Sequence, residues 1–137
     1  MKYISTRGQT APMDFSDVLL MGLAPDGGLM LPEHYPNIDS ATLDEWRTLS
    51  YPKLAMAIMQ RFATDIPAAD LQDIIERTYT TEVFGSDEIV PVRKLEDNLY
   101  ILGLSNGPTL AFKDVAMQFL GNGFEYVLKK KDARITI

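Results

Sequence analysis

The second half of the chain carries the pattern that most constrains its fold. Strand-like runs at 90–92 and 99–102 precede a Gly-rich link, a long amphipathic segment at about 112–130 and a further strand-like run at 134–137. Strand, helix and strand in this order predict a βαβ unit, which belongs to a parallel sheet covered on both faces. One or two parallel strands cannot bury themselves, so we expect a truncated N-terminal piece of a longer protein. A genuine C-terminus on an edge strand is the alternative.

The first half predicts a small α+β domain. A short strand at 2–6 is followed by a helix beginning near Asp14 or Ser16, a tight turn at 25–28 and a short apolar run. Apolar residues at three-to-four spacing then predict a helical cluster at 40–80. The change of pattern after this cluster predicts a boundary, with an N-terminal domain at 1–80 and the incomplete start of a parallel-sheet domain at 81–137.

Composition excludes several function classes. The chain contains no Cys and one His, which excludes disulfides, thiolate metal sites and multi-histidine metal sites, so we expect no metal. With 13 basic and 19 acidic residues the net charge is -6, which disfavours nucleic acid and anionic membranes as partners. The N-terminus lacks a secretion signal, and no apolar run approaches the roughly 20 residues that span a bilayer. We therefore expect a cytoplasmic protein.

The densest chemical signal is the run Asn-Gly-Pro-Thr-Leu-Ala-Phe-Lys-Asp at 106–114. It places Lys113 in the first turn of the long helix, where the helix dipole disfavours a second positive charge. Burial by Phe112 would desolvate the same amine, and both effects favour the neutral, nucleophilic form. Such an amine suits Schiff-base formation with an aldehyde cofactor. The alternative is a solvated Lys113–Asp114 pair on an exposed helix start.

The segment Gly-Pro-Thr-Leu-Ala-Phe-Lys-Asp at 107–114 resembles the cofactor-lysine motif of the threonine synthase family, whose members are pyridoxal-phosphate enzymes. Further segments resemble the same family in the same order along the whole chain. They are Tyr-Ile-Ser-Thr-Arg-Gly at 3–8, Asp-Gly-Gly-Leu at 26–29, Leu-Pro-Glu at 31–33 and the helical run at 115–121.

The resemblance implies a fold, an activity and a catalytic residue. The fold would be the tryptophan-synthase-β-like type (fold type II), with a small N-terminal domain before the catalytic parallel-sheet domain. Lys113 would form the aldimine with pyridoxal 5'-phosphate and move protons during the reaction. The family acts as a carbon–oxygen lyase, converting O-phospho-L-homoserine and water into L-threonine and phosphate.

Two further residues are weaker candidates. Many family members have an acidic residue and a Phe-His pair before the Gly-Pro-Thr, where this chain has Gly103, Ser105 and Asn106. A role for that His cannot be transferred, but Asn106 is a candidate hydrogen-bond donor to the cofactor. Arg7 is a candidate for binding a substrate phosphate or carboxylate, because a guanidinium binds these anions with two hydrogen bonds. A surface ion pair or a domain contact is the alternative for Arg7.

The chain lacks a Gly-rich loop placed to cradle the cofactor phosphate. We therefore expect this chain alone to be inactive, and its uncovered strand edges to favour self-association. Two alternatives stay open. One is a different fold-type-II pyridoxal-phosphate enzyme, and the other is a stand-alone, non-enzymatic binding or regulatory module in which Lys113 is unreactive.

Overall fold

A computed structural model describes residues 1–136. Ten elements follow one another in this range: β1 (Tyr3–Ser5), α1 (Phe15–Met21), β2 (Met30–Pro32), α2 (Ser40–Trp46), α3 (Tyr51–Met59), α4 (Ala68–Thr78), α5 (Thr81–Phe84), β3 (Val92–Glu96), β4 (Leu99–Leu102) and α6 (Asp114–Lys130). The strands form two separate antiparallel pairs, β1 with β2 and β3 with β4. No helix within the described range is both long and apolar enough to cross a membrane.

The main core lies where α4 packs against α3 and α6. The side chains of Leu71, Ile74 and Ile75 are at most 1% exposed, and they occupy one face of α4 because their spacing follows the helical repeat. Phe119 from α6 joins the same buried cluster. The three-to-four spacing of the sequence therefore predicted both the helix and its buried face correctly.

Polar side chains also join α6 to α4 and the residue that follows it. The Asn122 side-chain amide donates to Thr78 Oγ1 at 2.9 Å, and the Tyr126 hydroxyl donates to Asp70 Oδ2 at 2.7 Å. The Tyr79 hydroxyl donates to the backbone carbonyl of Val115 at 3.0 Å. Helix α6 thus shares a core with the helical cluster at 40–80. The domain division at residue 80 stays a prediction.

The β3–β4 hairpin is exposed along its whole length. Its strands turn at Asp97 and Asn98, and Asn98 adopts the left-handed backbone conformation (φ 64°) that tight hairpin turns require. Apolar side chains on the hairpin remain at least 42% exposed: Val92, Leu95, Leu99, Tyr100, Ile101 and Leu102. The hairpin therefore presents apolar surface that the rest of residues 1–136 does not cover.

The end of the chain differs from the sequence prediction. The strand predicted at 134–137 does not form at 134–136, and Ile137 lies outside the described residues. The strand pairs at 1–136 are antiparallel, and the tight turn at 97–98 explains why β3 and β4 pair locally. Residues 1–136 thus show a small mixed α/β arrangement whose strand pairs are antiparallel, and the parallel-sheet domain stays a prediction.

Candidate functional site

The loop that carries Lys113 connects β4 to α6 and folds into two consecutive turns. The Leu110 amide donates to the Gly107 carbonyl at 3.0 Å, and the Asp114 amide donates to the Ala111 carbonyl at 3.0 Å. Leu110 adopts a left-handed backbone conformation (φ 58°), which costs energy for a residue with a side chain. The conformation of this loop is therefore set by specific contacts.

Those contacts centre on Asp114, whose side chain is buried at 2% exposure. Its Oδ2 accepts a hydrogen bond from the Thr109 amide at 2.8 Å, and its Oδ1 accepts one from the Thr109 hydroxyl at 2.8 Å. A Cβ atom at Gly107 would lie 2.5 Å from Asp114 Oδ2, so the loop approaches the carboxylate as closely as glycine alone permits. The carboxylate also lies at the positive end of the α6 dipole, where a negative charge is favoured.

Lys113 is exposed and directly precedes α6. Its backbone is already helical (φ -61°, ψ -25°), and its carbonyl accepts from the Ala116 and Met117 amides at 3.0 and 2.8 Å. The expected position is thus correct to within one residue. The Lys113–Asp114 pair does not form, because the Asp114 carboxylate is directed to Thr109.

The expected burial of Lys113 by Phe112 is wrong. Phe112 is 66% exposed and Leu110 is 73% exposed, so both side chains lie on the surface beside the lysine. Burial depends on tertiary packing, which the local sequence does not report. An exposed amine flanked by exposed apolar side chains still fits an aromatic aldehyde cofactor, because the amine is accessible and the apolar groups offer contacts to a ring.

The two weaker candidates lie in different surroundings. Asn106 is half-buried and directly precedes Gly107 on the loop. The Arg7 guanidinium is engaged elsewhere, since its Nη1 donates to the Asp26 carbonyl at 3.1 Å. Among residues 1–136, no hydrogen bond or ion pair joins Arg7 to Asn106 or Lys113. The roles predicted for Arg7 and Asn106 stay predictions.

Sequence reasoning missed Asp26 as the centre of a polar network. Its Oδ1 accepts from the Ser5 hydroxyl at 2.7 Å and the Gly28 amide at 2.9 Å, and its Oδ2 accepts from the Gln9 amide at 3.0 Å. Partial removal from water alone would raise the pKa of Asp26, but these hydrogen bonds outweigh it and lower the pKa to about 2. The Asp-Gly-Gly turn was the available signal, because an Asp side chain commonly accepts from the amide two residues later.

Comparisons with known proteins, by family model and by sequence, all match this chain to the same family. The family model described as "Threonine synthase N terminus" matches residues 2–79. The threonine synthase of Methylobacillus glycogenes is 54% identical over 138 residues, covering 96% of this chain and 29% of that protein. The threonine synthase of Corynebacterium glutamicum is 51% identical over 142 residues, covering 100% of this chain and 30% of that protein.

Solved structures give the same result. The crystal structure of PLP-bound threonine synthase from Brucella melitensis superposes with a TM-score of 0.93 at 43% identity, covering 98% of this chain and 29% of that one. The threonine synthase of Escherichia coli has a TM-score of 0.77 at 27% identity, covering 93% and 28% of the two chains. The chain thus spans about 29% of the length of the relatives that it matches.

Proposed function

The chain belongs to the threonine synthase family, and we propose that it forms the N-terminal part of an enzyme that makes L-threonine and phosphate from O-phospho-L-homoserine and water. The observation that carries the proposal is the placement of Lys113, which stands exposed on a hydrogen-bonded loop at the start of α6. This arrangement presents an amine on a fixed backbone, as a covalently held aldehyde cofactor requires.

The cofactor in this proposal is pyridoxal 5'-phosphate (PLP), which the threonine synthase of Brucella melitensis binds. When bound, it supplies an electron sink for carbanions of the amino-acid substrate. The Lys113 amine would hold its aldehyde carbon and carry protons to and from the substrate. Leu110 and Phe112 would contact its apolar surface, and Asn106 would donate a hydrogen bond to its ring or hydroxyl. Arg7 would contribute to substrate binding.

The remainder of the site would lie in sequence beyond the part that this chain matches in its relatives. Those relatives are more than three times as long as the matched part, since it covers 29% of them. The apolar side chains of the β3–β4 hairpin are exposed, and the remainder of a catalytic parallel-sheet domain that begins at about residue 81 would cover them. That domain would supply the phosphate cradle, so we expect no activity from the 137-residue chain alone. A cytoplasmic location stays a prediction.

The alternatives have less support. A stand-alone binding module is not favoured, because bacterial relatives that match 96–100% of this chain are named threonine synthase. A different fold-type-II pyridoxal-phosphate enzyme would share the lysine, but the N-terminal family model also matches residues 2–79. Self-association of the chain through its exposed hairpin is a separate expectation that light scattering tests.

A lysine substitution in the full-length enzyme tests the proposal. Lys113→Ala should abolish both the visible absorbance of bound cofactor and threonine formation, because the amine that holds the cofactor and carries protons is lost. Lys129→Ala is the matched control, since Lys129 is an exposed lysine at the other end of the same helix. Normal turnover in Lys113→Ala, or equal losses in both variants, would contradict the role of Lys113.

A further inference from the structure

Asp114 is a buried charge beside Lys113, yet its carboxylate does not bind the lysine amine. Both of its oxygens accept hydrogen bonds from a single residue, Thr109, at 2.8 Å each. Hydrogen bonds to a carboxylate are stronger than bonds between neutral groups, and the buried position of Asp114 reduces the access of water to its carboxylate. These two hydrogen bonds therefore tie the two ends of the 109–114 segment together, and Lys113 belongs to that segment.

Close packing at Gly107 also constrains this loop. The Gly107 backbone lies against the Asp114 carboxyl group so closely that a Cβ atom would overlap it. Leu110 then keeps its left-handed conformation through the hydrogen bond from its amide to the Gly107 carbonyl at 3.0 Å. A strained backbone conformation persists only where its surroundings impose it. The Asp114 carboxyl group contributes to that constraint indirectly, because it packs against Gly107, whose carbonyl accepts the Leu110 hydrogen bond.

The start of α6 is itself anchored to the core. The Tyr79 hydroxyl donates to the Val115 carbonyl at 3.0 Å, and its ring packs against Tyr51 and Phe84 with centroid distances of 5.0 and 5.9 Å. Burial raises the pKa of Tyr79 well above its usual value, so the hydroxyl keeps the proton that it donates. Asp114 is therefore a fixed point from which the loop can be positioned.

We propose that Asp114 is a positioning residue, which acts through Thr109 to hold the 107–113 loop so that Lys113 presents its amine to the cofactor in one orientation. The role rests on the proposed function of Lys113 and requires no contact between Asp114 and the cofactor. Without this constraint the loop samples other conformations, and the free energy of ordering it is then subtracted from the cofactor affinity.

Asp114→Asn separates this role from simple filling of space. An amide of the same size keeps one oxygen to accept from the Thr109 backbone amide, while its NH2 group can only donate to the Thr109 hydroxyl, so the negative charge is lost from both contacts. We expect the affinity for pyridoxal phosphate to fall about ten-fold, because both hydrogen bonds to Thr109 lose the charge assistance of the carboxylate. Visible absorbance at saturating cofactor should remain, because Lys113 is intact.

The test uses the cofactor-free, full-length enzyme carrying Asp114→Asn, Thr109→Val or Thr109→Ser. Titration with pyridoxal phosphate, followed by visible absorbance, measures affinity, and hydrogen–deuterium exchange of the 107–113 peptide measures loop order. Asp114→Asn and Thr109→Val should both weaken binding and speed exchange, whereas Thr109→Ser keeps the hydroxyl and should stay close to wild type. Asp73→Asn is the matched control, because Asp73 is an exposed carboxylate on α4 that binds Arg77.

Two results would overturn the role of Asp114. One is wild-type affinity and exchange in Asp114→Asn, and the other is a lower melting temperature with unchanged affinity, which marks a purely structural residue. Failure of the proposed function looks different. In that case the wild-type enzyme develops no absorbance on titration, or Lys113→Ala retains it, and both proposals fall together.

Discussion

Two regions of this chain use apolar residues in opposite ways. The helical core, formed by α3, α4 and α6, buries side chains such as Ile74 completely. The hairpin segment, residues 92–113, also carries many large apolar residues but leaves them exposed, with Ile101 at 42% and Phe112 at 66%. Apolar content alone therefore does not distinguish a region that stabilises this chain from one that offers a surface.

The two regions also differ in what fixes their shape. The helical core owes its shape to burial, supplemented by bonds such as that from Asn122 to Thr78. The hairpin segment is shaped by backbone pairing, the Asn98 turn and the Thr109–Asp114 contact, all of which are local in sequence. Local contacts can define a conformation without much buried area, and here they leave the apolar side chains exposed.

A matched pair of isoleucine truncations gives the largest expected difference between the regions. Ile74→Ala should lower the free energy of unfolding of the chain by about 2 to 5 kcal/mol, because it opens a cavity in a closed core. Ile101→Ala should cost less than about 1 kcal/mol, since the side chain already contacts water. Chemical denaturation of both variants measures the difference, and equal losses would break the comparison.

Two glycine substitutions should give effects of opposite sign. Gly107→Ala should destabilise the loop by about 1 to 3 kcal/mol, because the added Cβ overlaps the Asp114 carboxyl group. Gly121→Ala in α6 meets nothing within 4 Å and should stabilise the chain by about 0.5 to 1 kcal/mol, since alanine favours a helix interior. Denaturation midpoints report both changes. A neutral Gly107→Ala would show that the loop does not depend on this close approach.

The smallest effect concerns acid and the polar network of the β1–β2 region. The pKa of Asp26 falls from 3.8 to about 2 on folding, so its hydrogen bonds stabilise the folded chain above pH 4. That stabilisation is lost as the pH drops from about 4 towards 2, because the carboxylate is then protonated. Asp26→Asn should flatten the stability profile in this window, and Asp97→Asn, at an exposed carboxylate, is the control. Parallel profiles for both variants would exclude the network as a source of acid sensitivity.

The sequence predicted the positions of the main helices more accurately than the exposure and contacts of the side chains around Lys113. The positions of α3, α4 and α6 follow from helical periodicity, which local sequence contains, whereas the four-residue helix α5 is too short to show it. The position of Lys113 followed from the same reasoning. The exposure of Phe112 and the contact from Thr109 to Asp114 did not, because both depend on how the loop folds back in three dimensions.

The contribution of α6 to the helical core has a consequence for synthesis on the ribosome. Phe119 completes a buried cluster whose other members lie between Ala63 and Ile75, so that cluster stays open while the hairpin segment is translated. At roughly 5–20 residues per second, this interval lasts on the order of a few seconds. During that time both the unfinished core and the hairpin expose apolar side chains to solvent. We therefore expect nascent chains stalled before residue 119 to bind chaperones more strongly than chains stalled after α6 has emerged.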